Sequence, residues 1–475
     1  MGILGYSSPQ FELPGDEFES RAAPPPSTAW LAPAATGPLS ARISLPGSKS
    51  LTNRELVLSA LADGPSTLTA PLRSRDSSLM IDALRELGIQ IDPLRGSDLG
   101  AGPDLVITPE ELGGGVSIDC GLAGTLMRFL PPVAALALGP VTFTGDAAAS
   151  RRPMRATIDS LRALGVEVSD DGRGTLPFTV YGTGRVEGGE LEIDASASSQ
   201  FVSGLLLAAA RFERGLTLRH TGDRLPSQPH IEMTIDVLRQ RGVAVESPEP
   251  GVWIVQPGRI DGRSLVVEPD LSNAAPFLAA ALVAGGSVSI PHWPESTTQV
   301  GDDLRGLLTG FGAEVTLAEG ILTVDGQEGV IGGRRYAGME LDLSSAGELT
   351  PAVVALCALA TGPSRITGVG HLRGHETDRL AALTAELNAI GCQVTELDDG
   401  LTIRPGELRA TERMWRAYED HRMATAGAIV GLAVPGIIVD DITTTAKTMP
   451  EFSMLWTQLL GRPTGAYTPN LTVPE

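Results

Sequence analysis

Residues 50–64, SLTNRELVLSALADG, open with small and polar side chains suited to capping a helix and then turn almost wholly aliphatic. That is the pattern of a helix buried on most of its faces. The same syntax returns as AGTLMRFLPPVAALALG from Ala123, SSQFVSGLLLAAA from Ser198, LSNAAPFLAAALVAG from Leu271, SAGELTPAVVALCALATG from Ser345 and HRMATAGAIVGLAVPG from His421, at intervals of 73, 75, 73, 74 and 76 residues. So constant a period marks an internal repeat. A second helical pattern follows each of the first: MIDALRELG, TIDSLRALG, TIDVLRQRG, LRGLLTGFG, LAALTAELNAIG and FSMLWTQLLG. In the first five, the closing glycine (Gly88, Gly165, Gly242, Gly312, Gly391) stands where a left-handed C′ residue is needed.

Alternating runs such as IQIDP, VEVSD and CQVTE, each followed some ten residues later by LVIT, PFTV or LTI, read as strand pairs, and VTFTG, LTLRH and SRITG supply a strand between the two helices. One unit is therefore about β-α-β-α-β-β. Six units of about 75 residues fill all but some 25 of the 475. The expectation is an α/β fold of two globules, three units each, with buried helices inside and sheets outside. Residues 29–47 with 268–475 form one globule and 48–267 the other, with hinges near 46–49 and 266–270; residues 1–28, which carry Ala-Ala-Pro-Pro-Pro and no periodicity, form a mobile tail. A cleft between the globules makes closure on a substrate a natural motion.

Composition agrees with a folded chain: 42% apolar and 20% charged residues exclude wholesale disorder. With 5 Trp, 5 Tyr and 10 Phe, the core must be packed by Ala, Leu, Val and Ile. The net charge of −21 repels polyanions and argues against a nucleic-acid partner, although a local basic pocket can still hold a small anion. Cys120, Cys357 and Cys392 are too few and too scattered for a disulfide framework or a zinc ribbon. The first thirty residues lack a cationic start followed by an apolar run, which leads to the expectation of a cytoplasmic protein. The uncharged run Met423–Val439 is broken by three glycines and Pro435 and reads as helix, turn and strand rather than a membrane span.

The informative residues break the aliphatic pattern at the helix starts. In PGSKSLTNR, Ser50 can cap, and Lys49 and Arg54 put two cations in the first turns, against the helix dipole. A bound anion reverses that cost, since free N–H groups, dipole and cations all attract it. AGTLMR repeats the arrangement with Gly124, Thr125 and Arg128, and Arg152 precedes another helix whose first position suits Pro153. Ser198, Ser199 and Gln200 open a third, and Ser227 with His230 the loop before a fourth. Repeat five carries Glu348, His375, Glu376 and Arg379, and repeat six His421, Arg422 and Lys447. Two carboxylates beside several cations can titrate separately, as distinct proton donor and acceptor roles require. Repeat four, opening PDLSNAAPF, offers no comparable cation and reads as structural. The set predicts at least two separately held phosphate or carboxylate groups. No HExxH, GxxxxGK[ST] or dinucleotide fingerprint occurs, so neither metal nor cofactor is expected.

PGSKSLTNR, AGTLMR, SASSQF, GHETDRL, EDHRMA and AKTMPEF, in this order, resemble the motifs of the 5-enolpyruvylshikimate-3-phosphate synthase family. The resemblance implies a two-domain inside-out α/β barrel and transfer of the enolpyruvyl group of phosphoenolpyruvate to the 5-hydroxyl of shikimate 3-phosphate. It places Lys49, Ser50, Arg54, Ser198, Ser199, Gln200, Ser227, Glu348 and His375 on the shikimate 3-phosphate side. Lys49, Gly124, Thr125, Arg128, Arg152, Gln200, Arg379, Arg422 and Lys447 fall on the phosphoenolpyruvate side. Lys49, Glu348, Glu376 and His421 are the catalytic group it implies, with Glu348 the proton acceptor, Glu376 the C3 proton donor or shuttle and Lys49 an electrostatic and proton-transfer partner. The partners implied are these two substrates, with no membrane, and the expected state is a monomer. Leu122, Phe129, His230, His371 and His375 depart from the commonest pattern, which has Asn or Ser, Pro, Tyr, Asn and Lys there. Two other readings compete: a UDP-N-acetylglucosamine enolpyruvyl transferase, which usually carries a reactive loop cysteine, and a non-catalytic phospho-metabolite binding protein, which could dispense with Glu348 and Glu376.

Overall fold

Each of the six units contributes two helices: α1 (Lys49–Ala60) and α2 (Arg75–Glu86), α3 (Gly124–Ala134) and α4 (Arg155–Ala163), α5 (Gln200–Ala209) and α6 (Pro229–Arg239), α7 (Ala275–Ala284) and α8 (Leu304–Gly310), α9 (Thr350–Ala358) and α10 (Arg379–Ala389), α11 (His421–Ala433) and α12 (Phe452–Leu459). The structure is a computed structural model, in which residues 28–94 and 102–462 are described. The expected tail lies outside them, apart from Thr28. Every residue of α3, α7 and α9 is buried, as sequences aliphatic on all sides require. The second helices bury one face: α2 turns Met80, Ile81, Ala83 and Leu84 inward and Asp82, Arg85 and Glu86 outward. It ends at Gly88, whose φ of 97° is left-handed, and the next residue closes the end with Ile89 N–H to Leu84 C=O at 3.0 Å. The same bond recurs at Val166, Val243, Ala313 and Cys392.

Among the described residues are five four-stranded sheets of one design. In the second unit Val116–Asp119 lies parallel to Leu138–Thr144, which pairs antiparallel with Phe178–Thr183, itself antiparallel to Glu167–Ser169. Two sheets take their outer strand from elsewhere in the chain. Leu39–Arg42, which precedes α1, lies parallel to Gly286–Pro291 of the fourth unit, and Ser264–Val266, which precedes α7, lies parallel to Ser66–Thr69 of the first. The two connecting segments run antiparallel and in contact, with Ser48 N–H donating to Glu268 C=O at 2.7 Å and Asp270 N–H to Pro46 C=O at 2.9 Å. Gly47 is required there because a Cβ would stand 2.3 Å from the Ala70 carbonyl oxygen. The apolar side chains divide into two clusters, one drawn from Trp30–Leu45 and Leu271–Leu459, the other from Leu56–Val267.

Three local expectations are corrected. Among the described residues the sixth unit forms no four-stranded sheet: Trp30–Leu31 pairs with Ile438–Val439, extended by one bridge from Trp415 to Val439. Ser48 rather than Ser50 caps α1, its hydroxyl accepting from Leu51 N–H at 3.4 Å, because the chain is still extended at Ser48 and already helical at Lys49. Pro153 precedes α4 instead of opening it, since Met154 N–H is drawn to Gly174 C=O at 2.8 Å. The run from Met423 lies in α11 to Ala433 and then in the strand Ile438–Val439, and no described helix is long and apolar enough to cross a membrane.

One buried ion pair ties α1 to the turn after α6. The Arg241 guanidinium donates to Glu55 Oε2 at 2.6 and 2.9 Å, to Ser59 Oγ at 2.9 Å and to Asp261 C=O at 3.0 Å. The two side chains are 0% and 3% exposed. Removing one partner of such a pair strands the other charge. Arg241→Ala is expected to lower unfolding stability by about 3–5 kcal/mol in a urea titration; a loss under about 1 kcal/mol would show that the fold does not depend on this tie.

Candidate active site

The helix entrances of both apolar clusters meet in one cleft, and the caps decide which side chains are free to face it. Asp378 caps α10, accepting from Leu380 and Ala381 N–H, both at 3.1 Å, so Glu376 is not the capping carboxylate. Asp420 caps α11 by accepting from Arg422 N–H at 2.9 Å, which starts that helix with His421 and Arg422. Arg379 joins the two entrances: its Nε donates to Asp420 Oδ2 at 2.7 Å and its Nη2 to Glu376 Oε2 at 3.0 Å. The Lys447 ammonium pairs with the other Glu376 oxygen. Arg422 Nη2 donates to Glu348 Oε2 at 2.9 Å, and His230, from α6, brings its Nε2 to 3.6 Å from Glu348 Oε1.

Facing these groups are the guanidinium groups of Arg128 and Arg152, held at one point. A Cβ on Gly124 would stand 3.0 and 3.1 Å from Arg152 nitrogens and 3.2 Å from Arg128 Nη1. Glycine at this position is therefore what lets both side chains reach the start of α3. The Nε of each is buried with no partner among the described residues. Like charges brought together with donors unspent are the arrangement of an anion site. Gln200 Oε1 and both ring nitrogens of His421 are likewise buried without a hydrogen-bond partner among the described residues, His421 Nδ1 standing 3.7 Å from Asp420 Oδ1.

The electrostatics follow from this crowding. Burial alone would raise the Glu348 and Glu376 pKa values. For Glu348 the field of Arg422, then His230, Lys49 and Arg379, reverses this, and for Glu376 that of Lys447, Arg379 and Arg152 does so; both end well below the carboxylate range. Both carboxylates are therefore ionised in this state, because cations surround both. Burial and then Arg152 lower Arg128, and burial pushes Arg54 down to about 9. Burial is also the first cause lowering His230, His375 and His421, and it brings His371 to about 4. His371, His375 and His421 are thereby neutral near pH 7.

Lys49, Arg128, Arg152, Glu348, His375, Glu376, Arg379, His421, Arg422 and Lys447 therefore belong to one charge network. Arg54 reaches it electrostatically through Glu348, but four of its five N–H donors are spent on Thr234 Oγ1, Ser50 C=O, Ser203 Oγ and His230 C=O, with its guanidinium 5.2 Å from the centre of Phe129. Phe129, a departure from the usual proline, thus supports a buried cation. Thr125 Oγ1 accepts from Asn53 Nδ2 at 2.7 Å. Ser198 Oγ accepts from Gln200 N–H at 3.3 Å, and Ser199 is the N-cap residue of α5. Ser227 takes φ 50° and its N–H donates to Ser344 C=O at 3.4 Å, across the cleft. His371 and His375, two further departures, lie with ring centres 5.8 Å apart.

Sequence reasoning passed over Asp270 and Asp420. Asp270 opens the repeat read as structural, yet its carboxylate accepts Lys49 N–H at 3.0 Å and Asn273 N–H at 3.1 Å, joining the two connecting segments beside Lys49. The signal was available: an acid at the head of an aliphatic run, the place where the other repeats carry their charges.

Fold and site together define a two-globule α/β protein whose cleft gathers cations from many helix entrances around two carboxylates. The model of the EPSP synthase (3-phosphoshikimate 1-carboxyvinyltransferase) family matches residues 33–456. A 3-phosphoshikimate 1-carboxyvinyltransferase of Kocuria rhizophila is 57% identical over 439 residues, covering 91% of this chain and 96% of the relative. Among solved structures, an EPSP synthase from Acinetobacter baumannii superposes with a TM-score of 0.73 at 24% identity, covering 91% of this chain and 98% of its own. The enolpyruvyl transferase NikO from Streptomyces tendae gives 0.70 at 17% identity with the same coverage. The chain belongs to the EPSP synthase family.

The neutral state of His421 has a measurable sign. Its folded pKa lies below the ordinary 6.5, so the unfolded chain takes up a proton first as the pH falls. Its contribution to stability is full above about pH 6.5 and declines below it. Between pH values of about 7.5 and 5 the thermal midpoint of the wild type is expected to fall more steeply than that of His421→Gln; parallel curves would show that burial of this neutral imidazole carries no linkage.

Proposed function

We propose that this protein transfers the enolpyruvyl group of phosphoenolpyruvate to the 5-hydroxyl of shikimate 3-phosphate and releases phosphate. The observation that carries the reading is the pairing of Glu348 with Arg422 and of Glu376 with Lys447 and Arg379, opposite Arg128 and Arg152. Seven cations (Lys49, Arg54, Arg128, Arg152, Arg379, Arg422, Lys447) meet four carboxylates (Asp270, Glu348, Glu376, Asp420), leaving an excess of three positive charges in the cleft. Two phosphorylated carboxylic acids supply the missing negative charge. The 57% relative bears the name of the shikimate enzyme, which favours this reading over a UDP-N-acetylglucosamine acceptor.

In this scheme Arg128, Arg152, Arg379, Arg422 and Lys447 hold phosphoenolpyruvate, with Gly124, Thr125 and Gln200 beside it. Ser50, Arg54, Ser198, Ser199, Gln200, Ser227 and His375 line the acceptor side. Glu348 takes the 5-hydroxyl proton as the oxygen bonds to C2 of phosphoenolpyruvate, and Glu376, with Lys49 and His421 adjoining, delivers a proton to C3. The tetrahedral adduct then loses a C3 proton and phosphate. Glu376 is ionised in the free cleft, and bound phosphates offset Lys447, Arg379 and Arg152, the cations that hold it so. Substrate binding thereby raises its proton affinity toward the value a donor needs.

The reading includes a cytoplasmic monomer whose globules, 29–47 with 268–475 and 48–267, close about hinges near 46–49 and 266–270. Phosphate release with phosphoenolpyruvate and shikimate 3-phosphate tests the reaction; turnover with UDP-N-acetylglucosamine in place of the shikimate ester would overturn it. Glu376→Gln is expected to leave binding of both substrates within about threefold by calorimetry and to lower turnover by about a hundredfold or more; near-normal turnover would remove Glu376 from proton delivery. X-ray scattering should show a smaller radius of gyration with both ligands than with neither, and an unchanged radius would count against closure.

A further inference from the structure

The two residues before Asp420, Tyr418 and Glu419, have φ of 54° and 57°. Neither is glycine, and L side chains are strained in the left-handed region. Because Asp420, His421 and Arg422 follow directly, this bend sets where all three point. Such a conformation persists only where its surroundings impose it. Here α10 does so. Glu386, 2% exposed, accepts the Tyr418 hydroxyl at 2.6 Å, Arg416 N–H at 3.2 Å and the Arg413 guanidinium at 2.5 Å. The Arg416 guanidinium covers the Tyr418 ring at 4.8 Å from its centre. Glu386 lies seven residues, about two helical turns, beyond Arg379 and so on the same face of α10. Arg379 holds Asp420 at 2.7 Å. The helix thus grips the segment on both sides of the left-handed pair.

We infer that Glu386 is a positioning residue: through Tyr418 it holds the bend that aims His421 and Arg422 into the cleft. It pairs with no group of the charge network itself. Removing its carboxylate frees Tyr418 and Glu419 to relax to negative φ, which rotates the start of α11 away from Glu348 and Glu376. The kinetic consequence rests on the reaction proposed above, whereas the local loosening does not.

The test compares Glu386→Ala, Glu386→Gln and Tyr418→Phe with the wild type by steady-state kinetics and by amide hydrogen exchange, well below each unfolding midpoint. Glu386→Ala is expected to lose on the order of tenfold in kcat/KM for phosphoenolpyruvate, since small misplacements of oriented groups are costly. Glu386→Gln recovers most of this, because the amide oxygen still accepts the Tyr418 hydroxyl. The amides of Asp420 and Arg422, bonded to Ala417 C=O and Asp420 Oδ1, exchange at least tenfold faster in Glu386→Ala, while 424–433 keep wild-type rates. Should Glu386→Ala fail to fold, Tyr418→Phe decides on the same two readouts. A lowered midpoint with wild-type kinetics and wild-type protection at 420–422 would overturn the inference. If the wild type itself fails to use phosphoenolpyruvate and shikimate 3-phosphate, the reaction falls, and exchange at 420–422 still decides whether Glu386 holds the bend.

Discussion

The structure depends on a concentration of positive charge that the protein would not tolerate without compensation. Arg128 and Arg152 meet over Gly124, and Lys447, Arg379 and Arg422 crowd the opposite wall. Burial penalises such charges, and three of the four carboxylates in the cleft are spent in offsetting it: Asp420 on Arg379, Glu376 on Arg379 and Lys447, Glu348 on Arg422. What remains is a surplus of cations inside a chain of net charge −21. The acidic exterior and the basic cleft make a field that favours small anions at one place and discourages polyanions everywhere else.

The double crossing of the chain explains how such a cleft is held. Each apolar cluster is completed by a strand remote in sequence, Leu39–Arg42 beside Gly286–Pro291 and Ser264–Val266 beside Ser66–Thr69, after which the chain passes into the other cluster. The connecting segments pass side by side, so the start of α1 with Lys49 and the start of α7 with Asp270 lie against each other. Asp270 accepts from Lys49 N–H and from Asn273 N–H, capping from one carboxylate two helix entrances that belong to different apolar clusters. The place where the globules join is therefore also a wall of the cleft.

Much of this was legible in the residues. The period near 75, the aliphatic helices and the closing glycines follow from local patterning, and local physics keeps them: a helix apolar on all sides has to be buried, and a C′ position with φ near 97° selects glycine. The cations at helix entrances were conspicuous because they oppose the dipole. The caps were harder. Ser48 and Ser50 are alike as sequence, and only the turn of the chain at Ser48 decides which hydroxyl caps. Glu376 and Asp378 are similarly ambiguous until the backbone gives the capping bonds to Asp378. Asp270 and Glu386 stayed hidden because their importance lies in partners 221 and 32 residues away.

The sequence by itself determined the α/β class, the six-fold repetition and the identity of the charged groups, since these depend on periodicity and on side chains read one at a time. The tertiary structure decided which strand completes which sheet, which carboxylate neutralises which cation, and that both glutamates are held ionised together. Those outcomes depend on distances between residues remote in the chain. Coulomb energies and hydrogen bonds act through space, and folding alone sets the separations at which they act.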